Sequence, residues 1–181
     1  NFDSYVWRPS FVLRSSFPWF YIAGADPAHY SGTRIDLAEQ TLPVPFAMPS
    51  LVLLAATGAG CALRRWPGAR LPLAVLLLGA LPMSLALFTA IAISHRYTAD
   101  FIPPLLASAA FGVTALATLP PGPRRLLGAL AVLLAVIAIP ITLATTLHYQ
   151  GEIVWGVPDD IRGQYLALRQ QFDALLAPSR P

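Results

Sequence analysis

The chain has 181 residues, of which 56% are hydrophobic and only 12% charged, with a mean hydropathy of +0.60. A soluble fold of this length must clothe its surface in polar side chains, and 12 basic and 9 acidic residues set among long apolar runs cannot do that. The composition therefore excludes an ordinary soluble domain and makes the bilayer the solvent, while the formal charge of +3, carried by arginines confined to short loops or scattered, suits anionic lipid head groups and argues against a nucleic-acid partner.

All 12 basic residues are arginine. With the abundance of Ala, Leu, Pro and Gly, this reads as the coding of a GC-rich bacterial genome. The sequence starts at Asn1 with no basic-then-apolar leader, so it is expected to be the C-terminal part of something longer, or a processed product. The single cysteine, Cys61, has no His or Cys neighbour at metal-ligand spacing and reads as a small packing residue.

Residues 1–43 are polar enough to stay outside the hydrocarbon, yet carry Phe2, Tyr5, Trp7, Phe11, Phe17, Trp19, Phe20, Tyr21 and Tyr30, an aromatic density typical of a membrane interface. Pro9, Pro18, Pro27, Pro43 and Pro45 oppose long helices there. The expectation is a folded outer-face segment with at most a short helix near Arg34 to Gln40.

A spanning helix needs about 20 apolar residues. Four stretches in residues 44–149 meet this: Val44 to Leu63, Leu71 to Ile93, Phe101 to Leu119 and Leu126 to His148, none with an acidic or arginine side chain. Arg64, Arg65 and Arg70 lie between the first two, and Arg124 and Arg125 between the last two, without acids. The positive-inside rule puts those loops in the cytoplasm and both chain ends outside. Pro82 and Pro140 interrupt the second and fourth spans and predict kinks, whereas Pro103 and Pro104 mark the start of the third. In the tail, residues 150–181, Ile161, Tyr165, Leu168, Phe172, Leu175 and Leu176 recur at helical spacing after a capping Asp159 or Asp160, predicting an amphipathic helix over about 159–176 whose apolar stripe lies on the membrane interface or the N-terminal segment. The predicted architecture is thus an all-α polytopic membrane protein with four transmembrane helices.

Between the second and third spans the run Ser94-His95-Arg96-Tyr97-Thr98-Ala99-Asp100 concentrates hydrogen-bonding and titratable groups at the outer face. Arg96 presents a planar fork suited to phosphate, His95 can move a proton near neutral pH, Tyr97 can anchor at the interface, and Asp100 can cap the third helix while orienting Arg96. The plainer reading is an Arg96–Asp100 pair that satisfies two charges near the bilayer. His29 and His148 stand alone, and Asp159 with Asp160 reads as a helix cap. Asp3, Asp26, Asp36 and Glu39 are the other outer-face acids, with no spacing that picks out a base. Metal, phosphate-loop, nucleophile-elbow and paired-carboxylate motifs are absent, so no cofactor or metal is expected.

The run from Arg96 through Tyr97, Asp100, Phe101 and Pro103, together with Tyr5-Val6-Trp7-Arg8-Pro9 and Phe17-Pro18, resembles the C-terminal part of large polytopic bacterial membrane proteins, some of them GT-C-type glycosyltransferases that use polyprenyl-phosphate-linked sugars. The resemblance implies a cell-membrane transferase module whose later helices hold the lipid phosphate, with Arg96 in that role and His95, Tyr97 and Asp100 beside it. The catalytic acid of that class sits in an early outer loop, for which this chain has no counterpart, so a catalytic region or partner chain would have to come from elsewhere. Two alternatives stand beside it: a non-catalytic subunit packing in a larger membrane complex, and a transporter fragment. The last is disfavoured because no span carries an internal charge.

Overall fold

The structure is a computed structural model describing residues 2–8, 11–22, 37–39, 41–90, 92–149, 151 and 157–176. His29, Tyr30, Asp26 and Asp36, named above, lie outside the described residues.

The chain opens with a π-helical turn, Asp3–Trp7, followed by an antiparallel hairpin of β1 (Phe11–Leu13) and β2 (Phe20–Ile22). Its loop closes through Arg14 N–H to the Trp19 carbonyl at 2.9 Å, with Trp19 at φ 67° in the left-handed region. Within the stretch where at most a short helix was expected, the described residues form a two-residue strand β3 (Leu37–Ala38), which pairs in parallel with β4 (Ala92–Ile93).

The first predicted span is broken. Val44–Ala47 forms one turn, α1, and α2 runs Pro49–Arg64 after Met48 leaves helical geometry at φ −135°, ψ 53°. Pro49 explains the break: it has no N–H to give the turn before it, and its ring pushes the preceding residue out of the α region. At 16 residues α2 is shorter than a full span.

The second helix, α3 (Pro67–Ala86), begins and ends earlier than predicted, because Pro67 starts it and Ala92–Ile93 is drawn into β4. A 3₁₀ turn, His95–Phe101, leads into α4 (Ile102–Thr118), with Pro103 in its first turn as expected. The fourth, α5 (Pro121–His148), starts at the Pro-Gly-Pro run and takes Arg124 and Arg125 into its first two turns. Pro82 and Pro140 lie inside continuous helices. Among the described residues α3, α5 and the run His95–Thr118 are long and apolar enough to cross a membrane.

The packing is inverted relative to a soluble bundle. The centre is the α2–α4 seam, built from Ala55, Gly58 and Ala62 on one side and Ser108, Ala109, Gly112 and Ala115 on the other, all buried. A Cβ on Gly58 would collide with the Ser108 carbonyl and the Gly112 amide, and one on Gly112 with the Leu54 carbonyl. Only glycine allows the backbones this close, the pattern by which helices associate when van der Waals fit replaces the hydrophobic effect. The large apolar residues point out: Leu71, Val75 and Leu78 on α3 and Leu126, Val132, Ile139 and Leu143 on α5 are all more than half exposed.

The tail forms α6 (Asp159–Leu176), as its periodicity predicts, with Asp159 and Asp160 as first-turn acids that favour the helix dipole. The hairpin takes a polar edge of the helix, and most of the apolar stripe is left outward. Arg162, Tyr165, Arg169 and Asp173 are half-buried, while Ile161, Leu168, Phe172, Leu175 and Leu176 are exposed. The reason is polar pairing with the hairpin: the Phe17 N–H donates to Asp173 Oδ1 at 2.6 Å and Arg169 donates to Ser16 Oγ at 3.1 Å. Of the apolar stripe, Phe172 joins in by stacking on Phe17 at 4.9 Å.

Candidate functional site

The polar groups gather where the β3–β4 pairing, the 3₁₀ turn and the end of α5 meet. Parallel pairing of Ala38 with Ile93 sets Glu39 beside Ser94, with the Glu39 N–H donating to the Ile93 carbonyl at 2.9 Å. The Glu39 carboxylate accepts from the Ser94 hydroxyl and, at 2.8 Å, from Tyr149, which closes α5. Beneath it the buried Tyr5 hydroxyl accepts from Ser94 N–H at 3.0 Å and donates to the Ser94 carbonyl at 3.3 Å. Four separate segments are thereby tied to one serine and one carboxylate.

Burial favours the neutral form of the Glu39 carboxyl, but the hydrogen bonds from Ser94 and Tyr149, the Arg96 charge and the His95 backbone N–H outweigh it and hold the carboxyl below its ordinary value of 4.5. The Tyr149 phenol is pushed up, by burial first and then by its bond to the Glu39 carboxylate. At ordinary pH the pair is an ionised acid and a neutral phenol. Such a carboxylate is a poor proton acceptor.

His95 Nδ1 accepts from the Leu42 N–H at 3.3 Å, which assigns the ring proton to Nε2 and keeps the imidazole neutral. The ring stands 5.8 Å from that of Tyr149 and lines a cavity of about 260 Å³ with Thr98, Thr142, Thr145 and Thr146. The Thr145 hydroxyl is buried there with no hydrogen-bond partner among the described residues.

Arg96 is exposed, its guanidinium 5.8 Å from the Tyr97 ring centroid. The described contacts of Arg96 include no ion pair with Asp100, whose carbonyl accepts from Ser84 Oγ at 2.9 Å. The cap residue of α4 is Phe101, without a side-chain cap bond. Both expectations for Asp100, as a cap and as the orienter of Arg96, give way for one reason. The segment winds as a 3₁₀ helix, whose three-residue period eclipses i with i+3 and turns i+4 about a third of a revolution away.

The structure thus brings His95 and Arg96 together with Glu39 and Tyr149, which the sequence reading had not singled out, and leaves Asp100 to one side. No local pattern marks Glu39 or Tyr149, because their partners lie in distant segments. His148 is buried and edge-on to Tyr21 at 4.7 Å, a packed residue. Among the described residues no cluster of His, Cys, Asp and Glu could hold a metal ion. Comparison with protein-family models, characterised proteins and solved structures finds no match.

Proposed function

We propose that this chain is the C-terminal membrane module of a lipid-phosphosugar-dependent glycosyltransferase or related cell-envelope protein, crossing a bacterial cytoplasmic membrane four times with both ends outside and holding a polyprenyl phosphate through Arg96. The supporting observation is the state of Arg96: an exposed guanidinium on a turn at the head of an apolar helix, with no ion pair to a carboxylate among the described residues. A bidentate fork in that position matches a phosphate at the edge of the hydrocarbon. The outward-facing Leu and Val side chains of α3 and α5, around a glycine-lined centre, support the membrane reading. Broken at Pro49, α1 and α2 together form the fourth crossing.

One observation favours a second reading, a non-catalytic subunit of a larger membrane complex. Glu39, whose carboxylate feels the Arg96 charge, is already engaged by two hydroxyls and held ionised, so among the described residues the cluster offers no carboxyl group as a general acid.

The test compares wild type, Arg96→Lys and Asp100→Asn for thermal stability and polyprenyl-phosphate binding in detergent. Loss of a bidentate charged hydrogen bond is worth ~1.5–3 kcal/mol, about tenfold to hundredfold in affinity. Weakened binding by Arg96→Lys at unchanged stability supports the transferase module. No binding by wild type, or equal binding by all three, replaces it with the subunit.

A further inference from the structure

A second feature lies along α5, apart from Arg96. An apolar groove of about 370 Å³ runs between the hairpin and the helix, walled by Phe17, Trp19 and Phe20 on one side and by Pro140, Leu143 and Leu147 on the other. From Pro140 to Leu147 the helix rises about 10 Å, so the groove follows the axis of α5 and ends beside His148. At that end Tyr21 packs on His148, and two guanidinium groups sit over the Tyr21 ring, Arg14 at 4.7 Å and Arg169 at 5.2 Å from its centroid. Both arginines therefore lie within the range of one ring, held by separate elements, the hairpin and α6.

We infer that this groove holds one hydrocarbon chain of an anionic phospholipid, with the lipid phosphate resting on Arg14 and Arg169. The inference rests on the proposed crossing of the membrane by α5 but not on any role of Arg96. The groove lining is apolar, and the residues that follow it in both walls, Tyr21 and His148, carry two guanidinium groups beside them, which is the polarity of an amphiphile. The direction also fits: α5 runs from its arginine-flanked start toward His148, so the groove lies along the last third of the helix, which the proposed orientation sets near the outer head groups. Among the described residues the acid of this corner is Asp173, whose carboxylate is fixed on the Phe17 N–H. A zwitterionic lipid would gain less at such a site, by about fivefold for each arginine lost to it.

The test uses the full chain in phosphatidylcholine vesicles with Trp7, Trp66 and Trp155 changed to Phe, leaving Trp19 as reporter of the groove. Chain-brominated phosphatidylglycerol and chain-brominated phosphatidylcholine are added at equal mole fraction, and quenching of Trp19 is compared. The expected result is stronger quenching by the anionic lipid, a preference reduced about fivefold by Arg14→Gln, lost in Arg14→Gln with Arg169→Gln, and unchanged by Arg96→Lys. Arg14→Gln matters because Arg169 also holds Ser16, so the double change could loosen α6. Equal quenching by both lipids, or a preference that survives the loss of both arginines, overturns the inference. A parallel protein whose one tryptophan is Leu133→Trp, on the exposed side of α5, separates the two levels. If neither lipid quenches that residue the membrane reading fails; if both quench it while Trp19 is untouched, the groove alone is wrong.

Discussion

The Tyr149 hydroxyl donates a 2.8 Å hydrogen bond to the carboxylate of Glu39, 110 residues earlier in the chain. Through that bond the last residues of the helical bundle are fastened to the N-terminal segment, and both are fastened to Ser94.

The bond makes a prediction about pH. The Glu39 carboxyl lies below its ordinary value in the fold, so the fold prefers the ionised form. The stability it contributes is complete above the ordinary value of 4.5 and is lost as pH falls from there through the lower folded value. Glu39→Gln, which keeps an acceptor but not the charge, is expected to cost about 1 kcal/mol at neutral pH after allowance for partial exposure. The wild type should lose more thermal stability than Glu39→Gln on acidification from about pH 6 to about pH 3, and equal losses would refute the assignment.

The α2–α4 seam makes a prediction about size. Gly112→Ala and Gly58→Ala each force a methyl into opposing backbone, expected to cost at least ~1–3 kcal/mol. Gly60, on the same helix as Gly58, has nothing within 4 Å of a Cβ, so Gly60→Ala should be neutral or stabilise by a few tenths up to ~1 kcal/mol. Thermal unfolding of the three variants in one detergent decides it. A destabilised Gly60→Ala beside unaffected Gly58→Ala and Gly112→Ala would invert the packing.

Docking of α6 depends on the Phe17 N–H to Asp173 bond and the Phe17–Phe172 stack. Asp173→Ala leaves a half-buried amide without its acceptor and should release the helix by ~1–3 kcal/mol, and Phe172→Ala by a further ~0.5–1.5 kcal/mol from the lost ring pair. Hydrogen exchange across residues 159–176 should quicken in both variants while that of α4 stays unchanged. Uniform change along the whole chain would show that α6 is not a separate docking unit.

The proposed orientation predicts a labelling pattern. In a Cys61→Ala background, an impermeant thiol reagent should reach Ala99→Cys and Gln164→Cys in intact cells and miss Gly68→Cys and Gly122→Cys until the membrane is opened. The reverse pattern would put the arginine loops outside.

The sequence by itself determined the helices and their apolar character, because hydropathy over twenty residues and the helix start at Pro103 act locally. It also located α6, since amphipathic spacing and a proline at position 158 are local signals. It did not reveal the break at Met48, where one proline outweighed a continuous apolar run, nor which small residues form the α2–α4 seam, since Gly58 and Gly60 look alike until a partner backbone arrives. Only the tertiary structure decided that α6 packs by Arg169 and Asp173 and not by its apolar stripe, because the hairpin presents Ser16 and the Phe17 amide, polar groups that need partners. The same holds for the polar cluster. Local reading joined Arg96 to Asp100 at a helical spacing, but the 3₁₀ winding turned them apart, and a two-residue parallel bridge brought in Glu39, whose pairing with Ser94 and Tyr149 depends on contacts between segments that no spacing along the chain encodes.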